Sequence, residues 1–217
     1  MSIECIGYTK KYEEILFDQF NLRLNEGSVT VLLGNSGVGK TTLLNAFAGL
    51  DGAFEGQVNT RPCAYIFQEP RLLKGATVRK NVYLACHNEQ TAQEYLEAVE
   101  LTDYANRYPA ELSGGMAARV SMARAFASGR KLLLMDEPFS SMDLGLKNRL
   151  YKVFRSLWEK THPTTLLITH DLDEALSLAD RVVLLEGRPV RVALDELVTP
   201  QTDIPALKEK LKNILIS

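Results

Sequence analysis

The stretch from Val29 to Leu44 limits what this chain can fold into more than any other part of it. A short apolar run, Val29-Thr-Val-Leu-Leu33, leads into Gly34-Asn35-Ser36-Gly37-Val38-Gly39-Lys40-Thr41-Thr42, and Leu43-Leu44 follows. The run has the length of a buried strand, and Leu43, Leu44, Phe47 and Leu50 recur at helical spacing. The glycine-rich segment is therefore predicted to join a strand to a helix, the context that G-x-x-x-x-G-K-[ST] requires. Its glycines let the backbone turn tightly around an anion with amide N–H groups facing inward. The new helix aims the positive end of its dipole at the same place. Lys40 is suited to neutralising β- and γ-phosphate oxygens, and the Thr41 hydroxyl to ligating Mg²⁺. The pattern predicts binding of a nucleoside triphosphate by 34–42; a glycine-rich turn with a solvated lysine would need neither flanking element.

The 217 residues carry 25 Lys and Arg against 27 Asp and Glu, a formal net charge of −2. Nothing draws the chain as a whole toward nucleic acid or an anionic membrane, so no nucleic-acid partner is expected. A 46% hydrophobic composition is enough to bury the core of one domain, 1–217, with a subdomain. No apolar run approaches the roughly 20 residues that span a bilayer, and Met1-Ser-Ile-Glu-Cys5 does not read as a signal peptide. Cys5, Cys63 and Cys86 are widely spaced without a CxxC pair, so they are expected to be reduced core thiols of a cytosolic protein.

Residues 2–26 alternate loosely between apolar and polar, which predicts antiparallel strands about a turn at 10–14. Short strands are expected at 57–58 and 64–67. From Arg71 to about Ser128 the pattern becomes helical: Val78, Val82 and Ala85 share a face, and Thr91-Ala-Gln-Glu94 reads as a capping box. Ser113 is placed to cap a helix that reaches about Ala127 and ends at Gly129. An α/β rhythm then returns, with strands at 132–135 and 164–168, helices at 145–160 and 173–179, a hairpin about Gly187 and a closing helix at 205–214. The expected fold is α/β with a mostly parallel sheet. Its core comprises 1–70 and 129–217, and the helical subdomain 71–128.

Leu132-Leu-Leu-Met135 delivers two acids, Asp136 and Glu137, to the end of a strand. In a parallel sheet that end faces the phosphate loop. Asp136 suits Mg²⁺ held through its water shell, and Glu137 suits polarising an attacking water. Without the phosphate loop, both would read as helix caps or arginine partners. Leu112-Ser113-Gly114-Gly115-Met116 starts a helix with a hydroxyl and bare backbone, either a second anion-binding terminus or a plain N-cap.

Together, Gly34–Thr42, Gln68, Leu112–Met116, Asp136-Glu137, Ser141-Met142-Asp143 and His170 stand in the order and spacing of an ATP-binding-cassette (ABC) ATPase. The chain resembles that family over nearly its whole length. The resemblance implies a P-loop NTPase (RecA-like) core, an N-terminal antiparallel β subdomain and an inserted helical subdomain. It also implies ATP and Mg²⁺, and a head-to-tail homodimer in which Ser113–Met116 of one copy closes on nucleotide held by the other. Residue by residue, it makes Tyr12 the aromatic that stacks on adenine, with Tyr8 the fallback. Gln68 would touch Mg²⁺ and the attacking water, and report to a membrane partner. Asp143 would cross the dimer interface, and helix capping is its plainer role. His170 would hydrogen-bond the γ-phosphate, while His87 and His162 are read as surface residues. The last signature position, most often Gln in the family, is Met116, and the next two, often Arg-Gln, are Ala117-Ala118. The lost cation is expected to weaken closure of the dimer.

The strings Gln68-Glu-Pro-Arg-Leu-Leu73, Asp136-Glu-Pro-Phe139, Ser156-Leu-Trp158 and Thr169-His-Asp-Leu-Asp-Glu-Ala175 resemble the importer group for nitrate, sulfonate and taurine. That resemblance implies an ATP-hydrolysing subunit at the cytoplasmic face of the cell membrane. It would work with integral membrane permease subunits and an extracytoplasmic solute-binding protein. Because the sequence stops at Ser217, no C-terminal regulatory domain is expected. An exporter ATPase of the lipoprotein or antimicrobial-peptide type would share every one of these motifs. A soluble ABC ATPase of DNA repair or translation is the other alternative. Lys40 and Ser113 lie only 73 positions apart, without room for a long coiled coil, and there is a single cassette. A GTPase reading lacks an Asn-Lys-x-Asp motif, and a kinase has no use for Leu112–Met116.

Overall fold

The computed structural model describes residues 2–140 and 142–216, so Ser141 of the expected dimer loop lies outside the described residues. Two compact units divide the chain: Met1–Cys63 with Thr164–Ser217, and Ala64–Pro163.

In the first unit, β1 (Ile3–Lys11) pairs antiparallel with β2 (Ile15–Leu24) and with β4 (Glu55–Asn59), giving the sheet order β2-β1-β4. This is the antiparallel subdomain that the alternation of residues 2–26 predicts. Its inner face carries Ile3, Cys5, Tyr8, Phe17 and Leu24, each at most 1% exposed. Tyr8 meets Phe17 and Phe54 at ring-centroid distances of 5.3 and 5.1 Å, so this face is an aromatic core. The second sheet of the unit holds β7 (Thr164–Ile168), β3 (Val29–Leu33), β8 (Arg181–Glu186) and β9 (Arg191–Leu197) in that order. β3 runs parallel to both neighbours, and β9 returns antiparallel. Every residue of β3 and β7 is buried, as near-continuous apolar runs in a parallel sheet require. β9 runs well past the expected hairpin, because Arg181 and Asp195 pair across it and extend the ladder. The helices are α1 (Lys40–Phe47), α6 (Leu172–Leu178) and α7 (Ile204–Ile216).

The second unit begins with β5 (Cys63–Ile66), which neighbours β6 (Leu132–Asp136). Between them lie α2 (Val78–Cys86), α3 (Glu89–Ala98), two 3₁₀ turns at Thr102–Tyr104 and Pro109–Glu111, and α4 (Gly114–Ala127). The long α5 (Leu144–Thr161) closes the unit. Val78, Val82, Leu96, Val99, Val120 and Phe126 fill the interior of this helical layer. Asn81 is fully buried there. Its amide donates to the carbonyls of Leu73, Ala76 and Thr77 at 3.0–3.2 Å and its oxygen accepts from Leu73 N at 2.7 Å. Arg124, from α4, donates to the Arg71 carbonyl at 2.7 Å. The loop after Gln68 is thus fastened to two helices by side chains.

Two local expectations are corrected. The capping box at Thr91–Glu94 does not form. α3 starts earlier, because the Asn88 side chain accepts from Thr91 N at 2.9 Å and places Thr91 inside the first turn. His87 and His162 are exposed, as expected, and each also closes a helix in left-handed backbone, with φ of 52° and 43°. Of the cysteines, only Cys5 is a core thiol; Cys63 and Cys86 are half-buried. Burial pushes the Cys5 thiol up to about 12, so it stays protonated. With a thiol-reactive dye at pH 8, the folded protein is expected to react at Cys63 and Cys86 first, and at Cys5 only after denaturation. Rapid labelling of all three would contradict this burial.

Candidate functional site

The phosphate loop comes from the first unit. β3 is buried on both sides and ends at Leu33, so the chain must turn at Gly34, where the sheet's carboxyl edge meets the start of α1. The loop closes on itself through Val38 N to Asn35 O (3.3 Å), and Leu43 N to Gly39 O (3.1 Å) begins the helix. Gly39 has φ of 113°, and a Cβ there would lie 3.0 Å from a ring carbon of Phe17. Only glycine fits both the backbone and the aromatic floor beneath it. The Lys40 side chain is 5% exposed, and its ammonium donates to the carbonyls of Gly34 (2.7 Å) and Asn35 (3.1 Å). The cation therefore lies folded over the loop. Asn35, Ser36, Gly37 and Thr41 are exposed, while Gly34 and Val38 are buried and Thr42 half-buried. Arg188 donates to the Gly37 carbonyl at 3.3 Å.

His170 follows β7, which neighbours β3 in parallel register with Leu32 opposite Ile168. Thr169 N donates to the Leu32 carbonyl at 3.1 Å, so His170 emerges at the same carboxyl edge as Gly34, exposed. The turn is completed by Asp171, whose side chain accepts from Asp173 N and Glu174 N and caps α6. Burial separates the two candidate aromatics. Tyr8 is fully buried in the aromatic core and cannot stack on a base, whereas Tyr12 is 61% exposed beyond the end of β1. Burial first, and then the Asp51 carboxylate, hold the Tyr8 phenol above its ordinary value. The fallback reading of Tyr8 is overturned.

The second unit carries the acids and the signature. Asp136 ends β6 half-buried, and the Tyr65 hydroxyl donates to it at 3.4 Å. Glu137 is held in left-handed backbone with φ of 43°, a conformation that costs a non-glycine residue of order 1–3 kcal/mol. Buried Phe139, edge-on to Tyr151 with centroids 5.1 Å apart, anchors the turn that imposes it. Gln68 is exposed, and its amide donates to the Ser140 hydroxyl at 3.1 Å, which joins the loop after β5 to the one after β6. Ser113 caps α4 by accepting from Met116 N at 3.3 Å. Ser113 and Gly114 are exposed, Met116 half-buried and Gly115 buried. A Cβ on Gly115 would lie 2.8 Å from Leu146, so bare backbone lets α4 start against α5. These residues, Gln68, Met142 and Arg149 line a cavity of about 680 Å³. Asp143 is exposed and caps α5 through Leu146 N at 3.0 Å, the plainer of its two roles. Of the two alanines that depart from the family pattern, Ala118 is 5% exposed and Ala117 half-buried.

Each unit taken by itself carries hard oxygen donors of the kind Mg²⁺ takes, the Thr41 hydroxyl in the first and the Asp136 carboxylate and Gln68 amide oxygen in the second. No group of three or more His, Cys, Asp or Glu is gathered among the described residues, and such a site does not call for one. Two neighbours of the site had no signal in the sequence reading. Tyr65 stands opposite Asp136, and Lys10 lies over the Tyr12 ring at 5.0 Å.

A phosphate loop between a buried parallel strand and a helix, with a histidine on the neighbouring strand's edge, defines a P-loop NTPase core. Residues 17–140 match the family described as ABC transporter, and the chain belongs to it, as a member of its ATP-binding cassettes. It is 36% identical over 211 residues to the aliphatic sulfonates import ATP-binding protein SsuB of Bacillus cereus, covering 88% of this chain and 84% of that protein. It is 44% identical over 179 residues to SsuB 2 of Frankia alni, covering 80% and 73%. Among solved structures, the dimeric structure of MJ0796, a bacterial ABC transporter cassette, aligns with TM-score 0.79 and 26% identity over 91% of this chain and 99% of that one. A dimeric post-hydrolysis state of the same cassette, bound to ADP and Pi, aligns with TM-score 0.78.

Gly39→Ala tests the loop directly. The variant is expected to lose about 1–3 kcal/mol of stability in denaturant unfolding and at least about tenfold in ATP affinity by calorimetry, since loop and helix must shift together. Wild-type values for both would contradict the fit against Phe17.

Proposed function

We propose that this chain is the ATP-hydrolysing, energy-coupling subunit of a bacterial importer of a small organic or anionic solute, with aliphatic sulfonates the first class to test. The observation that carries the ATPase reading is the loop at 34–42 with the buried Lys40 ammonium folded over it. The relatives' names, sulfonate import proteins matched over most of their length, favour import over an exporter sharing the same motifs.

In this reading Tyr12 stacks on adenine, and the amides of 34–42, with Lys40, hold the β- and γ-phosphates. Thr41, Gln68 and Asp136, the last through water, would hold Mg²⁺, which supplies charge neutralisation at the β- and γ-oxygens. Glu137 takes a proton from the attacking water, and His170 hydrogen-bonds the γ-phosphate. Ser113, Gly114, Gly115 and Met116 of a second copy close the site, and Asp143 crosses the same interface. Hydrolysis then waits on dimerisation. With Ala117 in place of the family's frequent arginine, the partner half lacks a cation and closes less tightly. No helix among the described residues is long and apolar enough to cross a membrane. Membrane attachment is accordingly assigned to separate permease subunits, with this chain peripheral on the inner face and a solute-binding protein outside.

Glu137→Gln removes the base but keeps the groups that bind ATP, so it is expected to lower turnover about 10²–10⁴-fold while an ATP-bound dimer accumulates in size-exclusion chromatography. Lys40→Ala is expected to abolish ATP binding. Normal turnover in the first variant, or intact affinity in the second, would refute the role assigned. For import, the chain reconstituted with its permease in liposomes should hydrolyse ATP faster when a sulfonate-loaded binding protein is added. Stimulation independent of any binding protein would point to export.

A further inference from the structure

Lys10 stands outside the roles assigned above, yet it is among the few charged side chains that are buried, at 5% exposure. A lysine is buried at that level only when its ammonium is paired. Here it donates to the Asp51 carboxylate at 2.7 Å and to the Ala53 carbonyl at 2.8 Å. The same Asp51 oxygen accepts from Ala53 N at 3.2 Å, so the acceptor side of the clamp is itself fixed. Asp51 lies in the turn that leaves α1 after Phe47, which is closed by Leu50 N donating to the Asn45 carbonyl at 2.9 Å. The ammonium therefore reaches from β1 to the segment that leaves the phosphate-loop helix.

Its third neighbour is Tyr12. The Lys10 ammonium lies 5.0 Å from the centroid of that ring, a cation–π distance. Beyond this contact the ring is 61% exposed, and its backbone lies in a short turn, with Tyr12 N donating to Glu14 O at 3.0 Å. An exposed ring on a turn is free to rotate unless one of its faces is held.

We propose that Lys10 is a positioning residue for the base platform: anchored by Asp51, it holds one face of Tyr12 and leaves the other to a purine base, at a fixed distance from the phosphate loop. The inference rests on the reading of Tyr12 as the adenine-stacking ring. Phosphate grip and base grip then share one mechanical reference, α1, although β1 and α1 are far apart in sequence.

The test compares ligands that differ only in the base. Lys10→Met combined with Asp51→Asn removes both charges together, so neither is left buried and unpaired. By calorimetry the double variant is expected to bind ATP and ADP about 5- to 10-fold more weakly, the weight of one cation–π contact at a partly desolvated site. Inorganic tripolyphosphate, which fills the loop but offers no base, should bind as it does to wild type, and Lys10→Arg should keep ATP affinity. In a Tyr12→Leu background the double variant should cause no further loss. Equal losses for ATP and tripolyphosphate, unchanged ATP affinity, or a full further loss without Tyr12 would each overturn the proposal. Wild-type protein that binds tripolyphosphate as tightly as ATP would instead remove the stacking role of Tyr12, and this inference with it. If the double variant does not fold, Asp51→Asn alone, which keeps the bond from Lys10 to the Ala53 carbonyl, carries the same comparison.

Discussion

A buried ammonium has to be surrounded by oxygen, and the first unit is built so that Lys40 is. Its charge sits at 5% exposure among the loop carbonyls of Gly34 and Asn35, at the amino end of a helix whose dipole repels it. That repulsion is offset only by carbonyls or by an anion. Everything around the loop keeps the geometry from relaxing. A fully buried strand delivers the chain, Phe17 closes the underside of Gly39, and Thr169 ties the neighbouring strand to Leu32. The small antiparallel sheet belongs to this arrangement as well, since it supplies Phe17.

The second unit follows a different economy. Its chemistry-bearing groups sit at the ends of elements and are held by caps and turns, with little enclosure: Ser113 and Asp143 at helix starts, Asp136 and Glu137 at a strand end, Gln68 in a loop. Groups so placed stay reachable from outside the unit, which suits a site completed by association. The left-handed Glu137 is the one strained member, and buried Phe139 keeps it in place.

How much of this was legible from sequence depended on how local the cause was. The strand, loop and helix at 29–47 and the strand ending in Asp136 were readable because apolar runs and glycines sit next to the residues they position. Ser113 as a cap was readable for the same reason. The start of α3 was not, since Thr91 and Asn88 are both competent caps and the Asn88 side chain takes the Thr91 amide. The choice between Tyr8 and Tyr12 needed burial: both follow a β pattern, but only one has Phe17 and Phe54 against it. The clamp from Lys10 to Asp51 spans 41 positions and leaves no periodic trace, so only the folded chain reveals it. The half-buried Cys63 and Cys86 escaped for a related reason, because the depth of an element's ends is a tertiary property.

The fully buried Asn81 has a consequence for how the loop after Gln68 moves. Its amide is bonded to four backbone groups of Leu73, Ala76 and Thr77, and Arg124 holds the carbonyl of Arg71. Loosening the Asn81 bonds would strand a fully buried amide, so the stretch from Leu73 to Thr77 is fixed to α2, and the exposed Arg124 bond adds a link from Arg71 to α4. Gln68 is tied separately, its amide donating to the Ser140 hydroxyl, so the connection is held at both ends, by the helices behind it and by the loop after β6 ahead of it.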